Sequence, residues 1–474
     1  MDRLASALRS AVDTELVGLL EHYLTIECLS PDFTPPGTWE PAIEEAIALF
    51  VGWAESRRIP GASVTVQRLE GRTPAIVVDL PATATHRTGT ALLYGHLDKQ
   101  PPLGDWSAGL DPFTPVRRGH LLFGRGSADD GYALPAALLA IEAADAADIP
   151  RGRCIVLIEA SEESGSPDLD AHLDALLPSI ADVDLVICLD SGALDYERLW
   201  VTTSLRGNVV LTVTAHVLTQ GVHSGEAGGV VPSSFRVLRQ LLDRIEDPTT
   251  GQVLLESVNL SPPAHAMADA AVVDAELSDP LGHHFPTTEG IALMGRDGVD
   301  RLLRQSWGAS LSVTGGDGMP PPASAGNVLR ASTTLKLSLR TPPTADVAEV
   351  VRELEAALTT DPPQGATVTV SFQPSAPGWV APSPSPWLLD ALDEGSRAGF
   401  GGRPGLLGEG GSIPFLASLG TRLPEAQFVV TGVLGPGSNA HGPDESLHVP
   451  AAANVAIAIV AVLRAHGQRA QPHP

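Results

Sequence analysis

Short strand-like runs alternate with helical patterns along the first part of the chain. Runs of strand length occur at Ser63–Gln67, Ala75–Asp79, Ala91–Tyr94, Cys154–Glu159 and Leu185–Leu189, and helical patterns at Met1–Leu29, Pro41–Arg58 and Tyr132–Ala147. Cys154–Glu159 and Leu185–Leu189 are continuous apolar runs, which are typical of parallel strands that helices cover on both faces. Strands that alternate with helices in this way predict an α/β domain.

The pattern changes near Arg206. Strand patterns follow at Asn208–Val217, Ser310–Thr314, Thr333–Leu339 and Ala366–Phe372, and helical patterns at Ser233–Glu246, Val299–Ser306 and Ala345–Thr359. Polar and apolar residues alternate in the first of these strands, as in a half-buried strand, so a separate α+β unit is expected here. The proline-rich stretch Pro374–Pro386 resembles a return linker. A strand near Phe428–Val433 and a helix near Ala451–His466 would then complete the first domain. The sequence thus predicts one domain at 1–205 and 376–474, interrupted by a second at 206–375.

Acidic side chains outnumber basic ones by 56 to 30, which gives a formal net charge of −26. Such a surface repels phosphate backbones and anionic membranes, so we expect neither nucleic acid nor a membrane as a partner. Solubility is the simpler role of this acidity, although some carboxylates could hold cations. The N-terminal pattern is that of an amphipathic helix and not of a signal peptide, and we find no apolar run long enough to span a membrane. The cysteines Cys28, Cys154 and Cys188 form no disulfide pattern, which suits a reducing compartment and predicts a cytoplasmic protein.

Five short polar motifs each follow a strand-like run. They are Tyr94-Gly95-His96-Leu97-Asp98, Gly124 to Gly131 (GRGSADDG), Glu159 to Gly165 (EASEESG), Leu189-Asp190-Ser191-Gly192 and Gly437 to Gly442 (GSNAHG). In open α/β sheets, sites form beyond the carboxyl ends of the strands. This rule would bring His96, the Glu162–Glu163 pair and Asp190 together.

Two histidines with several carboxylates make a nitrogen and oxygen ligand set, which suits Zn²⁺, Co²⁺ or Mn²⁺. Asp129, Glu163 and Asp190 supply three negative charges, and a bound hydroxide would supply a fourth, which together balance two divalent cations. Each residue alone has a simpler explanation, because a His after a strand is usually structural and an Asp in a glycine-rich loop is usually a turn residue. The joint pattern predicts a metal site.

In combination these motifs resemble those of the co-catalytic zinc aminopeptidase, carboxypeptidase and aminoacylase superfamily, over essentially the whole chain. Two further motifs, Gly221-Val222-His223-Ser224-Gly225 and Glu409-Gly410-Gly411-Ser412-Ile413-Pro414, point to its cytosolic carnosinase-type dipeptidases. The resemblance implies an α/β catalytic domain with a mixed, mostly parallel sheet flanked by helices, interrupted by an α+β lid and dimerisation domain. It also implies hydrolysis of an amide bond in a dipeptide or a related small substrate.

By position, the resemblance implies two divalent metal ions per subunit, with zinc preferred and manganese or cobalt as alternatives. His96 and Asp190 would bind one ion. Glu163 and His441 would bind the other, and Asp129 would bridge both.

The resemblance also implies the groups that support the reaction. Glu162 would be the general base, and Asp98 would orient His96 through the second nitrogen of its ring. The family often has a cis peptide between the residues that correspond to Asp129 and Asp130.

Two residues of the lid segment would act on the substrate carbonyl. His223 would reach across the interface of a homodimer and stabilise the oxyanion, with Asn327 as a further donor. Without the family pattern, the simpler explanation of His223 is a turn residue that caps a helix near Ser233.

Arg340 alone could be a surface residue, but its separation from Asn327 matches the family's spacing. The resemblance therefore implies that its guanidinium binds a substrate carboxylate through two parallel hydrogen bonds. Ser412 and the main-chain N–H groups of the loop around Gly411 would assist it. Two departures from the family pattern, Arg330 in place of a proline and Ser385 in place of a His, affect the substrate-binding residues and not the metal ligands.

The leading hypothesis is therefore a metal-dependent dipeptidase that acts on a small peptide or acyl-amino-acid substrate. An N-acyl amino acid deacylase or a carboxypeptidase of the same superfamily is the alternative, because no motif marks the pocket for the amine-side residue. A non-catalytic binding protein on this fold is a third hypothesis. The complete set of metal ligands and base argues against it.

Overall fold

The computed structural model of the protein describes residues 2–86 and 88–469. The chain divides into two compact units. Unit 1 comprises Met1–Thr203, Ala381–Leu407 and Ser418–Pro474, and unit 2 comprises Ser204–Val380 and Gly408–Ala417. The segment Gly408–Ala417 was expected in the first domain, as part of 376–474, but it groups with unit 2.

The helices and strands are numbered separately in chain order. The helices are α1 (Asp2–Ala11), α2 (Val17–Tyr23), α3 (Glu40–Ser56), α4 (Ala133–Ala146), α5 (Leu169–Ile180), α6 (Ser224–Ala227), α7 (Ser234–Leu242), α8 (Ala264–Leu277), α9 (Gly298–Ser306), α10 (Val347–Thr359), α11 (Pro386–Gly399), α12 (Pro414–Arg422) and α13 (Val449–Gln468). The strands are β1 (Ser63–Gln67), β2 (Ala75–Leu80), β3 (Thr90–His96), β4 (Val116–Arg118), β5 (Leu121–Phe123), β6 (Arg153–Glu159), β7 (Val183–Cys188), β8 (Trp200–Leu205), β9 (Gly207–His216), β10 (Val222–His223), β11 (Ser310–Asp317), β12 (Val328–Leu329), β13 (Ser332–Thr341), β14 (Thr367–Phe372), β15 (Trp379–Val380), β16 (Gly405–Glu409), β17 (Gln427–Val430) and β18 (Ser446–His448).

Unit 1 is built on a six-stranded sheet in the order β1-β2-β6-β3-β7-β17. Strands β6, β3, β7 and β17 run parallel, whereas β2 pairs antiparallel with both β1 and β6. Every residue of β3 is buried, so both faces of this central strand are covered. Helices α1 to α4, α11 and α13 pack with the sheet in one apolar core. The predicted α/β class, with a mixed and mostly parallel sheet flanked by helices, is confirmed.

Helix α13 is apolar enough to cross a membrane by length and composition, with a mean hydropathy of 1.6 in its most apolar window. The expectation that the chain holds no apolar run of this length is therefore wrong. In the structure 78% of that window is buried. A helix that is covered on most sides by other elements needs apolar residues nearly all round, and this explains the composition of α13.

Unit 2 has its own antiparallel sheet, in the order β11-β13-β9-β14. Residues of β9 alternate between buried and half-buried positions, as the sequence pattern predicts. Helices α7 and α10 pack against the buried face in a separate apolar core. Strands β10 and β12 form a short antiparallel ribbon. In unit 1, a further small sheet has the order β18-β5-β4.

Several helices differ from the predicted ones. The helical pattern at Met1–Leu29, whose first residue lies outside the described range, gives helices only as far as Tyr23. Here the buried Nζ of Lys99 donates to the main-chain oxygens of Tyr23 and Ile26, at 3.0 and 2.7 Å. These bonds satisfy carbonyls that no further helical turn serves. Helices α5, α8 and α11 were not predicted from the sequence. Helix α11 begins at Pro386, since proline is tolerated in the first turn of a helix.

Candidate active site

The carboxyl ends of β3 and β7 place an imidazole and a carboxylate at one edge of the sheet. Strand β3 ends at His96, which is in register with Glu159 at the end of β6. Asp190 follows the end of β7. The Nε2 atom of His96 lies 3.9 Å from Oδ2 of Asp190. The structure therefore brings these two residues together, as the strand-end rule predicts.

Asp129 lies between the two histidines that the sequence singles out. Its Oδ1 is 3.0 Å from Nε2 of His96, and its Oδ2 is 3.0 Å from Nε2 of His441. The same nitrogen of His441 is 3.2 Å from Oε2 of Glu163, which belongs to the turn that follows β6. The peptide bond between Asp129 and Asp130 is cis.

Two groups of three side chains that could hold a metal ion result, and they share one carboxylate. The first group is His96, Asp129 and Asp190, and the second is Asp129, Glu163 and His441. Within each group the potential ligand atoms all lie within 4.8 Å of one another. These are the five residues that the sequence analysis assigned to metal binding.

The electrostatics of these groups are those of a cation site. Burial, with a further contribution from Asp129, raises the pKa of Asp190 to about 7, and it also raises the pKa of Glu163. Burial would raise the pKa of Asp129 as well, but hydrogen bonds with His441 and His96 hold it well below its usual range. Among residues 2–86 and 88–469, no Lys or Arg forms an ion pair with these carboxylates. Crowded carboxylates with imidazole neighbours fit divalent cations of the zinc, cobalt and manganese type.

Glu162 belongs to neither group of ligands. Burial, followed by the charge of Asp190, raises the pKa of its carboxyl group well above the usual value. Its main-chain N–H donates to Oδ1 of Asp98 at 3.1 Å, and the N–H of Glu163 donates to Oδ2 at 3.0 Å. Asp98 therefore fixes the turn that carries both glutamates. Its Oδ1 also lies 3.5 Å from Nδ1 of His96, whose nearer neighbour, at 3.1 Å, is the main-chain oxygen of Asp98.

Sequence reasoning missed three residues that support these groups. The Nε2 of Gln100 donates to Oε2 of Glu163 at 2.7 Å. Arg125 and Glu445 form a fully buried ion pair beside the loop that carries Asp129. Gln100 lies two residues after the motif that ends at Asp98, and Arg125 lies within the motif Gly124 to Gly131. Their closeness to these motifs in the sequence was the signal that could have found them.

His223 and Asn327 are brought together in unit 2, on the ribbon of β10 and β12. His223 pairs with Val328, and the N–H of Ser224 donates to the main-chain oxygen of Asn327 at 3.0 Å. Both side chains are exposed. The Nδ1 of His223 accepts a hydrogen bond from the N–H of Gly225, so the histidine caps α6 and not a helix near Ser233.

Arg340 and Ser412 also meet in unit 2, where Nη1 of Arg340 donates to Oγ of Ser412 at 3.2 Å. The neighbouring Gly411 is exposed. Burial lowers the pKa of Arg340, and no acidic side chain among the described residues forms an ion pair with it. A partly buried guanidinium without a carboxylate partner fits an anion site.

A second arginine, Arg206, lies at the same loop and was not predicted. It donates to the main-chain oxygens of Gly410 at 3.1 Å and Gly308 at 3.0 Å, and to Oγ of Ser310 at 3.0 Å. Burial and the charge of Arg340 lower its pKa to about 10.

A cavity of about 1110 Å³ lies within unit 2, and its walls include Arg206, Phe285 and Trp307. The ring of His284 packs edge-on against Phe285, with 5.0 Å between the centroids. The segment that carries His283 and His284, to which the sequence analysis assigned no role, contributes Leu281 and Phe285 to this cavity.

Comparisons with known proteins show which family the chain belongs to. The model of peptidase family M20/M25/M40 matches residues 92–465. A cysteinylglycine-S-conjugate dipeptidase of Corynebacterium striatum is 27% identical over 389 residues, which cover 80% of this chain and 81% of that protein. The structure of human carnosine dipeptidase 1 superposes with a TM-score of 0.78 at 21% identity, over 99% of each chain. The metallo-carboxypeptidase Sso-CP2 of Sulfolobus solfataricus superposes with a TM-score of 0.78 at 19% identity, over 96% of this chain and 99% of that one. The chain therefore belongs to peptidase family M20/M25/M40, a family of metal-dependent hydrolases.

Proposed function

We propose that this protein is a dipeptidase that hydrolyses the amide bond of dipeptides or similar small substrates with a free C-terminal carboxylate. The observation that carries the proposal is the pair of ligand groups that share Asp129, with Glu162 outside both of them. The dipeptidase activities named for the Corynebacterium relative and the human structure support this substrate class.

The donor set suits two divalent cations per subunit, with zinc preferred and manganese or cobalt as alternatives. His96 and Asp190 hold one cation in this proposal, and Glu163 and His441 hold the other. Asp129 serves both, since each of its oxygens faces a different histidine.

The cations, when bound, would supply Lewis acidity that lowers the pKa of water and stabilises negative charge on a carbonyl oxygen. The Glu162 carboxylate accepts a proton from the attacking water as the new C–O bond forms. The same group then donates this proton to the amine nitrogen as the C–N bond breaks, so that it is ionised again at the end of the cycle. Asp98 keeps the base in place through the main-chain N–H of Glu162.

Substrate binding is assigned to residues of unit 2. Arg340, with Ser412 and the N–H groups around Gly411, binds the C-terminal carboxylate of the substrate, because a charge-assisted bond to guanidinium is the strongest such contact available. His223 and Asn327 act on the scissile carbonyl as hydrogen-bond donors. Their shared position on one exposed ribbon supports a common role.

A homodimer is part of the proposal, because an exposed His223 can serve the site of a second chain. The proposed location is the cytoplasm. The free cysteines Cys28, Cys154 and Cys188 are all buried as thiols, which suits a reducing compartment.

An N-acyl amino acid deacylase or a carboxypeptidase is the second candidate, and the similarity to the Sulfolobus carboxypeptidase structure favours it. Dipeptides, N-acyl amino acids and longer peptides should be assayed with Zn²⁺, Mn²⁺ and Co²⁺ added separately. We expect the highest kcat/KM for dipeptides. A preference for N-acyl amino acids or for longer peptides would replace the dipeptidase assignment, and no hydrolysis with any metal would indicate a binding protein.

A further inference from the structure

The buried pair Arg125–Glu445 has no part in the proposed reaction, yet it contacts the main chain of the site. The side chains are 1% and 0% exposed, and Nη1 of Arg125 donates to Oε2 of Glu445 at 2.7 Å. The carboxylate also accepts N–H bonds from Gly126, Ala128 and Asp129, at 3.1, 3.1 and 3.2 Å. One carboxylate therefore satisfies three of the four main-chain donors between Gly126 and Asp129, on the loop that carries the shared ligand.

The same pair reaches two more segments that carry groups of the site. The Nη2 of Arg125 donates to the main-chain oxygen of Gly442 at 2.8 Å, directly after His441, and to that of Pro101 at 3.3 Å, directly after Gln100. The main chain of Glu445 in turn accepts from the N–H of Gly124 at 3.0 Å. The pair thus joins three separate stretches of unit 1 at one buried point.

The ligands differ in how the rest of the structure holds them. His96 is the last residue of β3, and Asp190 follows β7, so the hydrogen bonds of the sheet fix their positions. Asp129 and His441 stand on loops outside any strand or helix. Their positions depend on loop contacts, and the Arg125–Glu445 pair supplies contacts to both loops.

We propose that the Arg125–Glu445 pair is a positioning device that sets the affinity of the cation held by Glu163 and His441. The inference rests on the proposed metal centre and goes beyond it, because it assigns a function to two residues that touch neither cation nor substrate. Groups that orient metal ligands typically contribute about 10–100-fold to metal affinity. We expect an effect of this size on the cation of Glu163 and His441, because the pair contacts the loops of both Asp129 and His441. The other cation shares only Asp129 with these loops, so its affinity should fall less.

Glu445→Gln is the sharpest test because it keeps the volume of the side chain. If the amide oxygen faces the loop N–H groups, the amide NH₂ faces the guanidinium, and a donor opposes a donor. The reverse orientation places the NH₂ against the three N–H groups. Glu445→Asp keeps the charge and shortens the side chain, and it is the second variant if Glu445→Gln does not fold.

The measurement is a titration of metal-free protein with Co²⁺, followed by absorbance and by metal analysis at each step. In Glu445→Gln we expect the cation of Glu163 and His441 to bind about 10–100-fold more weakly, and the other cation to lose less affinity. Glu445→Asp should show a smaller shift in the same direction. A thermal unfolding curve of each variant separates the change in metal affinity from a change in stability.

Asp145→Asn is the matched control, because it weakens another ion pair of unit 1, in which the buried Arg151 contacts the partly exposed Asp145 at 2.8 Å. It should lower stability and leave both Co²⁺ affinities unchanged. Unchanged binding in both Glu445 variants would overturn the inference, and so would an equal loss of both cations. If the wild-type protein binds fewer than two Co²⁺ ions, the proposed metal centre itself is wrong, which is a different result from failure of the Glu445 variants.

Discussion

Units 1 and 2 both bury side chains of like charge, but the sign differs. The carboxylate cluster of unit 1 consists of Asp129, Glu162, Glu163 and Asp190. Only histidines among the described residues face it as ion-pair partners. The arginine pair of unit 2 consists of Arg206 and Arg340, which donate to neutral oxygens of one loop.

The sign of the buried charge indicates which kind of ligand would stabilise each unit. Burying like charges is unfavourable unless a ligand of the opposite sign compensates for the lost hydration. In the proposed function, cations therefore stabilise the carboxylate cluster, and an anion such as a substrate carboxylate stabilises the arginine pair. Four substitutions test this comparison, beginning with the largest expected effect.

Removal of the shared ligand should have the largest effect. Asp129→Ala should reduce the affinity for both cations by more than the ~10–100-fold typical of a residue that only supports a ligand, and activity should fall to background. Metal analysis after dialysis checks this outcome. Asp79→Ala, which removes the partner of Arg153 on β2, is the control and should keep both cations. An Asp129→Ala protein with two tightly bound cations would show that Asp129 is only a turn residue.

Loss of the base should separate chemistry from metal binding. Glu162→Gln should keep both cations and lower kcat by ~10²–10⁴-fold, because proton transfer to and from Glu162 is removed. Steady-state kinetics on metal-loaded protein measure this, with Glu142→Gln as a control outside the cluster. Near-normal turnover would mean that Glu162 is not the base.

Mixed dimers test whether His223 of unit 2 acts on the site of a second chain. His223→Ala alone should lower kcat by ~10²–10³-fold, as loss of an oxyanion donor does. When His223→Ala chains are co-expressed with Glu162→Gln chains, one site of each mixed dimer has an intact base from one chain and an intact His223 from the other. With random pairing, about a quarter of wild-type activity should return, since about half the dimers are mixed. Mixed dimers confirmed by different tags that stay inactive would exclude a shared site.

The smallest effect is expected at the carboxylate anchor. Arg340→Ala should lower kcat/KM for substrates with a free carboxylate by ~10–100-fold, which corresponds to ~1.5–3 kcal/mol for a charge-assisted bond. C-terminally amidated substrates should lose much less. Arg244→Ala is the control, because Arg244 in unit 2 donates only to main-chain oxygens near Thr360. Equal losses on both substrate types would indicate a structural role for Arg340.

The comparison also shows which parts of the molecule the sequence could predict. The strands of unit 1 and the meeting of His96 with Asp190 follow from apolar runs and the strand-end rule, because both are local patterns combined with a general rule of sheets. The placement of Asp129 and His441 depended on the family resemblance. Nothing local to either loop specifies that they face each other.

Other side chains support the site through hydrogen bonds with main-chain groups, and such bonds leave no recognisable pattern in the sequence. Glu445 binds three N–H groups that any residue types would supply, so its role depends on the fold. The Arg206 side chain is similarly held by carbonyl oxygens of Gly308 and Gly410, which are distant from it in sequence. The length of the apolar run in α13 was underestimated, because many of its residues are alanines, which are small and only weakly apolar.

The burial of α13 has a consequence for the order in which the molecule assembles during translation. This helix is synthesised after every other element of unit 1, and it packs into the same apolar core as α1, α4 and α11. The core of unit 2 draws on residues from Val209 to Phe372 and is complete well before α13 leaves the ribosome. Because domains generally fold as units during synthesis, the inserted unit can reach its native packing while its host still exposes the surface that α13 covers. Ribosome-bound chains that end before Val449 should therefore have a folded unit 2 and an incomplete unit 1 that depends on chaperones.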